Sequence, residues 1–299
     1  MPLDFSALAG ILYCPDDGHA LHCRQRNIDC PECGRTFRVF DNGVAELLPA
    51  KPADVAVGRS SRYWQAYRNA FLEPFSVSEN AIAWGAAEMS SPQWTMKRLR
   101  QTRAVEALLA GDGSEDLALC DISAGPGYYT FAYSSRFRIV LHCDLSVDNL
   151  NYAARKAREL ELTNMFFLRT DYCAMPFRNS VDRILCLDTL IRGEDHEIAV
   201  LKSIRSSLAG NGSAVVDFHN WWHNPIRRLG ALPDNFVGNQ SYGVRETKQL
   251  LRSAGIKASE FIRFHQEFER NSAYGPVLSR LLPATRLLFR FEGGQTYEC

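Results

Sequence analysis

Short apolar runs separated by helical patterns dominate the chain from residue 117 onward. Five runs predict strands, because each is too short for a buried helix; they cover residues 117–122, 138–144, 165–171, 182–188 and 213–218. Residues 149–160 and 197–208 carry apolar side chains at helical spacing and predict helices between strands. This alternation predicts an α/β fold with a mostly parallel sheet and helices on both faces.

The first 50 residues follow a different pattern, with short apolar runs between turns. Two of these turns resemble zinc knuckles, Cys14-Pro-Asp-Asp-Gly and Cys30-Pro-Glu-Cys33-Gly. A structural zinc ion needs four ligands, usually supplied by two such turns. A module of about 40 residues also needs a metal, because it cannot bury a sufficient core alone. The pattern predicts a zinc site made by Cys14, Cys30, Cys33 and a fourth ligand.

Three residues are candidates for the fourth ligand: Asp17, His19 and Cys23. If residues 20–23 pair with residues 27–30 in a hairpin, Cys23 lies opposite Ile28, toward the tip. His19 then lies near the level of the second turn, so we favour His19. The alternative is a degenerate knuckle that holds no metal.

Composition and charge narrow the class of protein. Hydrophobic residues make up 46% and charged residues 23% of the chain, which is typical of a globular protein and excludes a disordered one. The 34 basic residues balance the 34 acidic ones, and residues 1–58 carry five Lys/Arg against eight Asp/Glu. No global field therefore attracts nucleic acid or an anionic membrane. The nine cysteines, the lack of a signal peptide and the lack of an 18-residue apolar stretch lead us to expect a cytoplasmic protein.

A glycine-containing loop follows the first strand of the α/β region, and acidic residues end the strands around it. The loop runs from Asp121 to Thr130, with glycine at positions 125 and 127. A dinucleotide-binding loop has a third glycine where this chain has Thr130, and the lysine of a phosphate-binding Walker loop is absent. Asp144 ends the second strand, where an acid can bind ribose hydroxyls, and Asp171 ends the third. The combination predicts a nucleoside-binding crevice at the carboxyl edge of the sheet, and the alternative is that each aspartate caps a helix.

The same residues resemble the class I S-adenosylmethionine-dependent methyltransferases over residues 110–220. Residues 119–130 (LCDISAGPGYYT), 142–157, 169–190 and 208–218 match successive motifs of that family. The resemblance implies a Rossmann-like sheet of seven strands and a cofactor site in which Asp144 binds the ribose and Asp171 the adenine. The full set of cofactor residues implied by the resemblance is Tyr63, Asp121, Ser123, Gly125, Gly127, Asp144, Leu145, Asp171, Tyr172 and Asp188.

Residues 30–49 (CPECGRTFRVFDNGVAELLP) resemble the zinc-ribbon modules that precede many methyltransferases. These resemblances divide the chain into three regions. We predict a zinc-ribbon-like module at 1–50, a linker and helical cap at 51–110, and a methyltransferase domain at 111–299 with a substrate lid around 219–245.

Aromatic and histidine side chains after the fifth strand predict a substrate pocket. The candidates for substrate contact are Tyr128, Trp221, Trp222 and Arg227, and the candidates for a general base are His196, His219 and His223. Methyl transfer can also proceed by positioning alone, without a base.

These patterns predict transfer of a methyl group to an oxygen or nitrogen atom of a small molecule, in specialised biosynthesis, by a monomer or homodimer. One alternative is an rRNA or tRNA base methyltransferase with an N-terminal zinc finger. The acidic balance of residues 1–58 counts against it, because a finger that grips RNA is basic. The other alternative is a non-catalytic binding protein with a methyltransferase-like fold.

Overall fold

The computed structural model describes residues 3–51, 103–109, 114–190, 193–220, 242–264 and 286–296. The strands are β1 (His22–Arg24), β2 (Asn27–Asp29), β3 (Thr36–Phe37), β4 (Val44–Glu46), β5 (Ala118–Ile122), β6 (Ile139–Asp144), β7 (Met165–Arg169), β8 (Val181–Leu190), β9 (Leu208–His219), β10 (Ile256–Phe264) and β11 (Arg286–Thr296). The α-helices are α1 (103–109), α2 (Tyr128–Tyr133), α3 (Val147–Glu159), α4 (Glu194–Ser207) and α5 (Val244–Ser253).

Eight of the strands form one central sheet, in the order β10-β11-β9-β8-β5-β6-β7-β4. Strands β4 to β9 run parallel to one another, whereas β11 is antiparallel to both β9 and β10. The predicted Rossmann-like, mostly parallel sheet is confirmed, and each of the five apolar runs lies in one of β5 to β9. The sheet has one strand more than the seven expected, because β4 from the N-terminal region pairs with the edge of β7.

Successive side chains of β5 enter two different cores, as expected for a sheet that is covered on both faces. Cys120 and Ile122 pack in one core with residues of α4 and α5, and Leu119 packs in the other with residues of α1, α2 and α3. This burial explains why the strands of the sheet are almost continuously apolar.

The N-terminal region contributes to the same core as the central sheet. Strands β1, β2 and β3 form a small antiparallel sheet in which Cys23 lies opposite Ile28, as the hairpin pattern predicts. The Phe5 ring packs edge-on against Phe166 of β7, with ring centroids 5.7 Å apart. The backbone N–H of Leu47 donates to the carbonyl of Arg169 at 2.9 Å. The N-terminal region therefore covers the edge that β7 would otherwise expose.

Residues 170–180, which connect β7 to β8 and pack against α4, form a crossing segment from one strand to the other. The Met175 N–H donates to the Ser203 hydroxyl at 3.0 Å, and the Asn179 N–H donates to the carbonyl of Ser206 at 2.9 Å. This path brings the residues that directly follow β7 close to the start of α4.

Residues 52–102 and 110 of the predicted linker and helical cap (51–110), and residues 221–241 of the predicted lid, lie outside the described residues. No helix within the described ranges combines the length and the apolar character that crossing a bilayer requires.

Candidate functional site

The loop between β5 and α2 uses backbone conformations with positive φ. Ser123, Gly125 and Gly127 have φ values of 57°, 59° and 94°, a region that costs least for glycine. The Phe131 N–H donates to the carbonyl of Gly127 at 2.8 Å, so α2 begins directly after the turn. A Cβ on Gly127 would lie 2.8 Å from the Phe131 ring, whereas a Cβ on Gly125 meets no described atom within 4 Å. The backbone at Gly125 is therefore open to close approach by a ligand.

Asp144, at the end of β6, is hydrogen-bonded to this loop. Its Oδ2 accepts from the backbone N–H of Gly125 at 2.8 Å, and its Oδ1 accepts from the N–H of Ser146 at 2.7 Å. Burial raises the pKa of the Asp144 carboxyl, and backbone hydrogen bonds partly offset this effect. Ser146 is the residue that caps α3, with its hydroxyl accepting from the Asn149 N–H. Helix capping therefore does not explain why an aspartate lies at position 144. Its side chain instead connects the end of β6 to the loop that follows β5.

Asp121, in β5, belongs to a buried network under the loop. The hydroxyl of Thr130 donates to Asp121 Oδ2 at 2.6 Å and lies 3.0 Å from Nδ1 of His142. Burial raises the pKa of Asp121 to about 7; the hydrogen bond from Thr130 lowers it and the nearby Asp144 raises it. Burial lowers the pKa of His142 to about 4, so this imidazole is neutral near pH 7. Asp121 is therefore a carboxyl group whose charge a bound cation can stabilise.

Asp171 and Tyr172 follow β7 and begin the crossing segment. Both are almost fully buried, with 5% and 4% of their surface exposed. The Cys173 N–H donates to Asp171 Oδ1 at 2.9 Å and the Ala174 N–H donates to the Asp171 carbonyl at 2.9 Å, which closes a tight turn. The ring of Tyr172 packs edge-on against His196, with centroids 5.3 Å apart.

The other predicted site residues that the structure describes lie around these groups. The Leu145 carbonyl accepts from Arg169 Nε at 3.2 Å. Asp188 lies near the end of β8 with φ of 59°, and its N–H donates to Asp217 Oδ1 at 2.7 Å. Tyr128 begins α2 and packs edge-on against Tyr129 at 5.1 Å.

His196 is buried in the first turn of α4, where Nδ1 lies 2.9 Å from Oε2 of Glu197. His219 is the last residue of β9, and only its backbone is described. The remaining predicted site residues lie outside the described residues: Tyr63, Trp221, Trp222, His223 and Arg227.

Sequence reasoning did not identify His142 or Glu197 as site residues. Both are fully buried. His142 lies in the middle of an apolar run, so its pattern was that of a core strand. The sequence signal that could have identified His142 was its position two residues before Asp144. Glu197 sits inside a helical pattern directly after His196, and a fully buried acid in such a place requires partners.

The N-terminal region gathers a second group of potential ligands: Cys14, Asp17, Cys30 and Cys33, whose ligand atoms all lie within 4.8 Å of one another. The Sγ atoms of Cys14 and Cys33 are 3.9 Å apart, and Sγ of Cys30 is 3.3 Å from Oδ2 of Asp17. A tetrahedral zinc with ordinary bond lengths separates two sulfurs by about 3.8 Å and a sulfur and an oxygen by about 3.5 Å. The group therefore has the dimensions of a zinc site.

The favoured fourth ligand, His19, does not belong to this group. The turn that begins at Cys14 closes with a hydrogen bond from the Gly18 N–H to the Cys14 carbonyl at 2.9 Å, which brings Asp17 toward the sulfurs. His19 lies beside Asp17, with Nδ1 3.3 Å from Asp17 Oδ1. Cys23, the third candidate, lies opposite Ile28 in the hairpin, as expected.

Comparisons with known proteins agree with this geometry. Residues 119–212 match a family model described as a methyltransferase domain. No curated protein sequence matches the chain.

Solved methyltransferase structures share the fold. Magnesium protoporphyrin IX methyltransferase from Synechocystis PCC 6803, solved with S-adenosylhomocysteine, is 14% identical, with a TM-score of 0.53 over 80% of this chain and 99% of that one. Geranyl diphosphate C-methyltransferase from Streptomyces coelicolor A3(2) is 15% identical, with a TM-score of 0.51 over 64% of this chain and 75% of that one. Phosphoethanolamine N-methyltransferase 2 from Haemonchus contortus is 15% identical, with a TM-score of 0.50 over 66% and 53%.

The matched residues contain the loop and the three acids Asp121, Asp144 and Asp171, with β6, β7, β8 and nearly all of β5. The chain therefore contains a methyltransferase domain, at residues 119–212, and shares the fold of solved methyltransferases.

Proposed function

We propose that the protein transfers the methyl group of S-adenosylmethionine to an oxygen or nitrogen atom of a small molecule, in a specialised biosynthetic pathway. The observation that carries the proposal is the hydrogen bond from Gly125 N–H to Asp144, at 2.8 Å. It joins the open glycine turn to a buried acid at the next strand end, and a glycine turn followed by such an acid is typical of folds that bind a nucleoside.

Each buried acid of the edge has a group of the cofactor to bind. Asp144, with Leu145, would bind the ribose hydroxyls, and Asp171 with Tyr172 would hold the adenine. Ser123, Gly125 and Gly127 would line the methionine part. These residues fit the cofactor, because a Cβ at Gly125 meets no described atom within 4 Å and the acids are already oriented by backbone donors.

Asp121 would face the methionine ammonium group. Its pKa of about 7, caused mainly by burial, favours a cation as partner. When bound, S-adenosylmethionine supplies an electrophilic methyl group on a sulfonium. Asp188 and Tyr63 remain predicted cofactor contacts.

The substrate side of the site remains a proposal based on sequence. Tyr128, Trp221, Trp222 and Arg227 are the proposed substrate contacts, and His219 and His223 are proposed proton acceptors. The three solved methyltransferases are named for small molecules, namely geranyl diphosphate, phosphoethanolamine and magnesium protoporphyrin IX, which supports a small-molecule acceptor here. The acidic excess in residues 1–58 favours this substrate class over RNA.

Calorimetry with S-adenosylhomocysteine tests the cofactor site. We expect wild-type protein to bind, and Asp144→Ala to weaken binding by about 100-fold, since charged hydrogen bonds to two hydroxyls are lost. Asp116→Ala is the matched control, because Asp116 is an exposed acid at the opposite end of β5. Equal affinity of wild-type protein and the Asp144 variant would refute the assignment.

We also propose a structural zinc ion held by Cys14, Asp17, Cys30 and Cys33. Metal analysis of purified protein should find about one zinc per chain, and Cys30→Ser should lose it together with thermal stability. Cys23→Ser is the matched control, because Cys23 is a buried thiol of the same module that lies outside the group. Asp17→Ala should lower zinc affinity more than His19→Ala does; the reverse order would restore His19 as the ligand.

We propose a cytoplasmic monomer or homodimer that acts without a nucleic-acid partner. Support for a reducing compartment comes from the eight described cysteines, all of which are free thiols. The thiol of Cys120 donates a hydrogen bond to Sγ of Cys143 at 3.6 Å, and the two cysteines form no disulfide.

A further inference from the structure

A buried histidine–carboxylate pair lies at the start of α4, beside the proposed adenine end of the cofactor site. His196 is 1% exposed and Glu197 is fully buried. Nδ1 of His196 lies 2.9 Å from Oε2 of Glu197. The ring of His196 contacts Tyr172, which directly follows Asp171. The pair therefore adjoins the turn that we assign to adenine.

Glu197 is held in place by donors from two other parts of the chain. The backbone N–H of Gly193 donates to both carboxylate oxygens, at 3.1 and 3.2 Å. The hydroxyl of Tyr242 donates to Oε1 at 3.1 Å, and the Tyr242 ring packs edge-on against Phe218 of β9. A carboxylate that already accepts from these donors also accepts from Nδ1 of His196, so in the neutral form of the imidazole the hydrogen lies on Nδ1.

This arrangement leaves Nε2 of His196 as a hydrogen-bond acceptor. It is buried and has no hydrogen-bond partner among the described residues. It points away from Glu197, since the two ring nitrogens face in nearly opposite directions. Burying an acceptor without a partner costs free energy, which a ligand that donates a hydrogen bond recovers.

We infer that Nε2 of His196 accepts a hydrogen bond from the exocyclic amino group of the cofactor's adenine, and that Glu197 fixes the tautomer that allows it. The inference rests on the proposed cofactor site. An amino group has two hydrogens; one goes to the Asp171 carboxylate and the second goes to His196. The contact with Tyr172 thus favours a cofactor-binding role for His196 over the general-base role that the sequence suggested.

Binding of two ligands to two variants tests the inference without a methyl acceptor. The ligands are S-adenosylhomocysteine and its purine analogue, which has hydrogen in place of the amino group. In wild-type protein the adenine ligand should bind more tightly than the purine ligand. His196→Leu should lower affinity for the adenine ligand by about five- to tenfold and leave affinity for the purine ligand nearly unchanged. His196→Gln, whose side-chain oxygen can accept, should lose less.

The ratio of the two affinities separates a direct contact from a structural role. Loss of a merely structural histidine would weaken both ligands equally, and that result would overturn the inference. An unchanged ratio in both variants would also overturn it while leaving the cofactor site intact. Wild-type protein that binds neither ligand would refute the cofactor site and this inference together. His22→Leu, an exposed histidine of the N-terminal region, should change neither affinity.

A spectroscopic measurement on wild-type protein covers the case in which His196→Leu does not fold. One of the seven histidines should show the neutral tautomer with hydrogen on Nδ1 in ¹⁵N spectra. Its Nε2 signal should move when S-adenosylhomocysteine is added and stay in place with the purine analogue. Glu197→Gln should redistribute the tautomers. A signal that moves equally with both ligands would contradict the assignment.

Discussion

Binding of S-adenosylhomocysteine should strengthen as the pH rises from 6 to 7.5. Burial raises the pKa of Asp121 to about 7, while the ligand's ammonium group stabilises only the ionised carboxylate. At pH 6 about one tenth of the free protein has Asp121 ionised, and at pH 7.5 about three quarters has. The affinity should therefore rise about eightfold over this range, which corresponds to about 1.2 kcal/mol.

The assay is calorimetry at several pH values in buffers of different ionisation enthalpy, which also counts the protons released on binding. Two other titratable groups lie near Asp121. His142, with a pKa of about 4, stays neutral over the range. Asp144 also has a raised pKa, so its contribution must be separated by controls.

Two controls isolate Asp121. Asp121→Asn should bind more weakly at pH 7.5 and should lose most of the pH dependence. Methylthioadenosine keeps the nucleoside but lacks the amino acid, so its affinity for wild-type protein should vary little with pH. An eightfold rise that persists in Asp121→Asn, or that methylthioadenosine reproduces, would refute the reasoning.

Three further predictions concern the same loop. The folded protein keeps the Asp121 proton to about pH 7, whereas the unfolded chain releases it near pH 3.8, so the free energy of unfolding falls as the pH rises between these values, by at most about 4 kcal/mol. Denaturant unfolding at pH 5 and pH 8 should therefore show a smaller loss of stability in Asp121→Asn than in wild-type protein. Equal losses in the two proteins would contradict this prediction. Gly127→Ala should lower the free energy of unfolding by at least about 1 kcal/mol, because φ is 94° there and the new Cβ would lie 2.8 Å from the Phe131 ring. Gly210→Ala should lower it less, because a Cβ at Gly210 meets no described atom within 4 Å. Thr130→Val removes a donor to Asp121 and should move the pH midpoint of cofactor binding upward, while Thr130→Ser should keep it; equal midpoints in both variants would count against the network.

The sheet was predictable because its strands are buried on both faces. Burial makes β5 to β9 continuously apolar, and short apolar runs between helical patterns have few other structural solutions. Strand β4 escaped prediction, because three residues carry little periodicity and its partner β7 lies more than 100 residues away in the chain. The strand-end acids were predictable for a related reason, since parallel strands bring their carboxyl ends to one edge.

The supporting residues were harder to predict than the acids. His142 and Glu197 act through hydrogen bonds that form only after the strands and helices have packed. The fourth residue of the cysteine group could not be predicted from the sequence for the same reason. Spacing allowed Asp17, His19 or Cys23, and only the path of the turn after Cys14 brings the Asp17 carboxylate to the sulfurs.

The N-terminal region contacts the segment that carries the proposed adenine-binding residues, as well as the edge of the sheet. The Tyr13 N–H donates to the carbonyl of Pro176 at 2.9 Å, and the Ser180 hydroxyl donates to the carbonyl of Ile11 at 2.8 Å. Both contacts hold the crossing segment that begins with Asp171. Cys14, the first residue of the cysteine group, directly follows Tyr13. A metal bound at the cysteine group would therefore also restrain the backbone behind Asp171 and Tyr172, the residues that we propose to bind adenine. In this way the N-terminal region would support cofactor binding, although it supplies none of the proposed cofactor contacts.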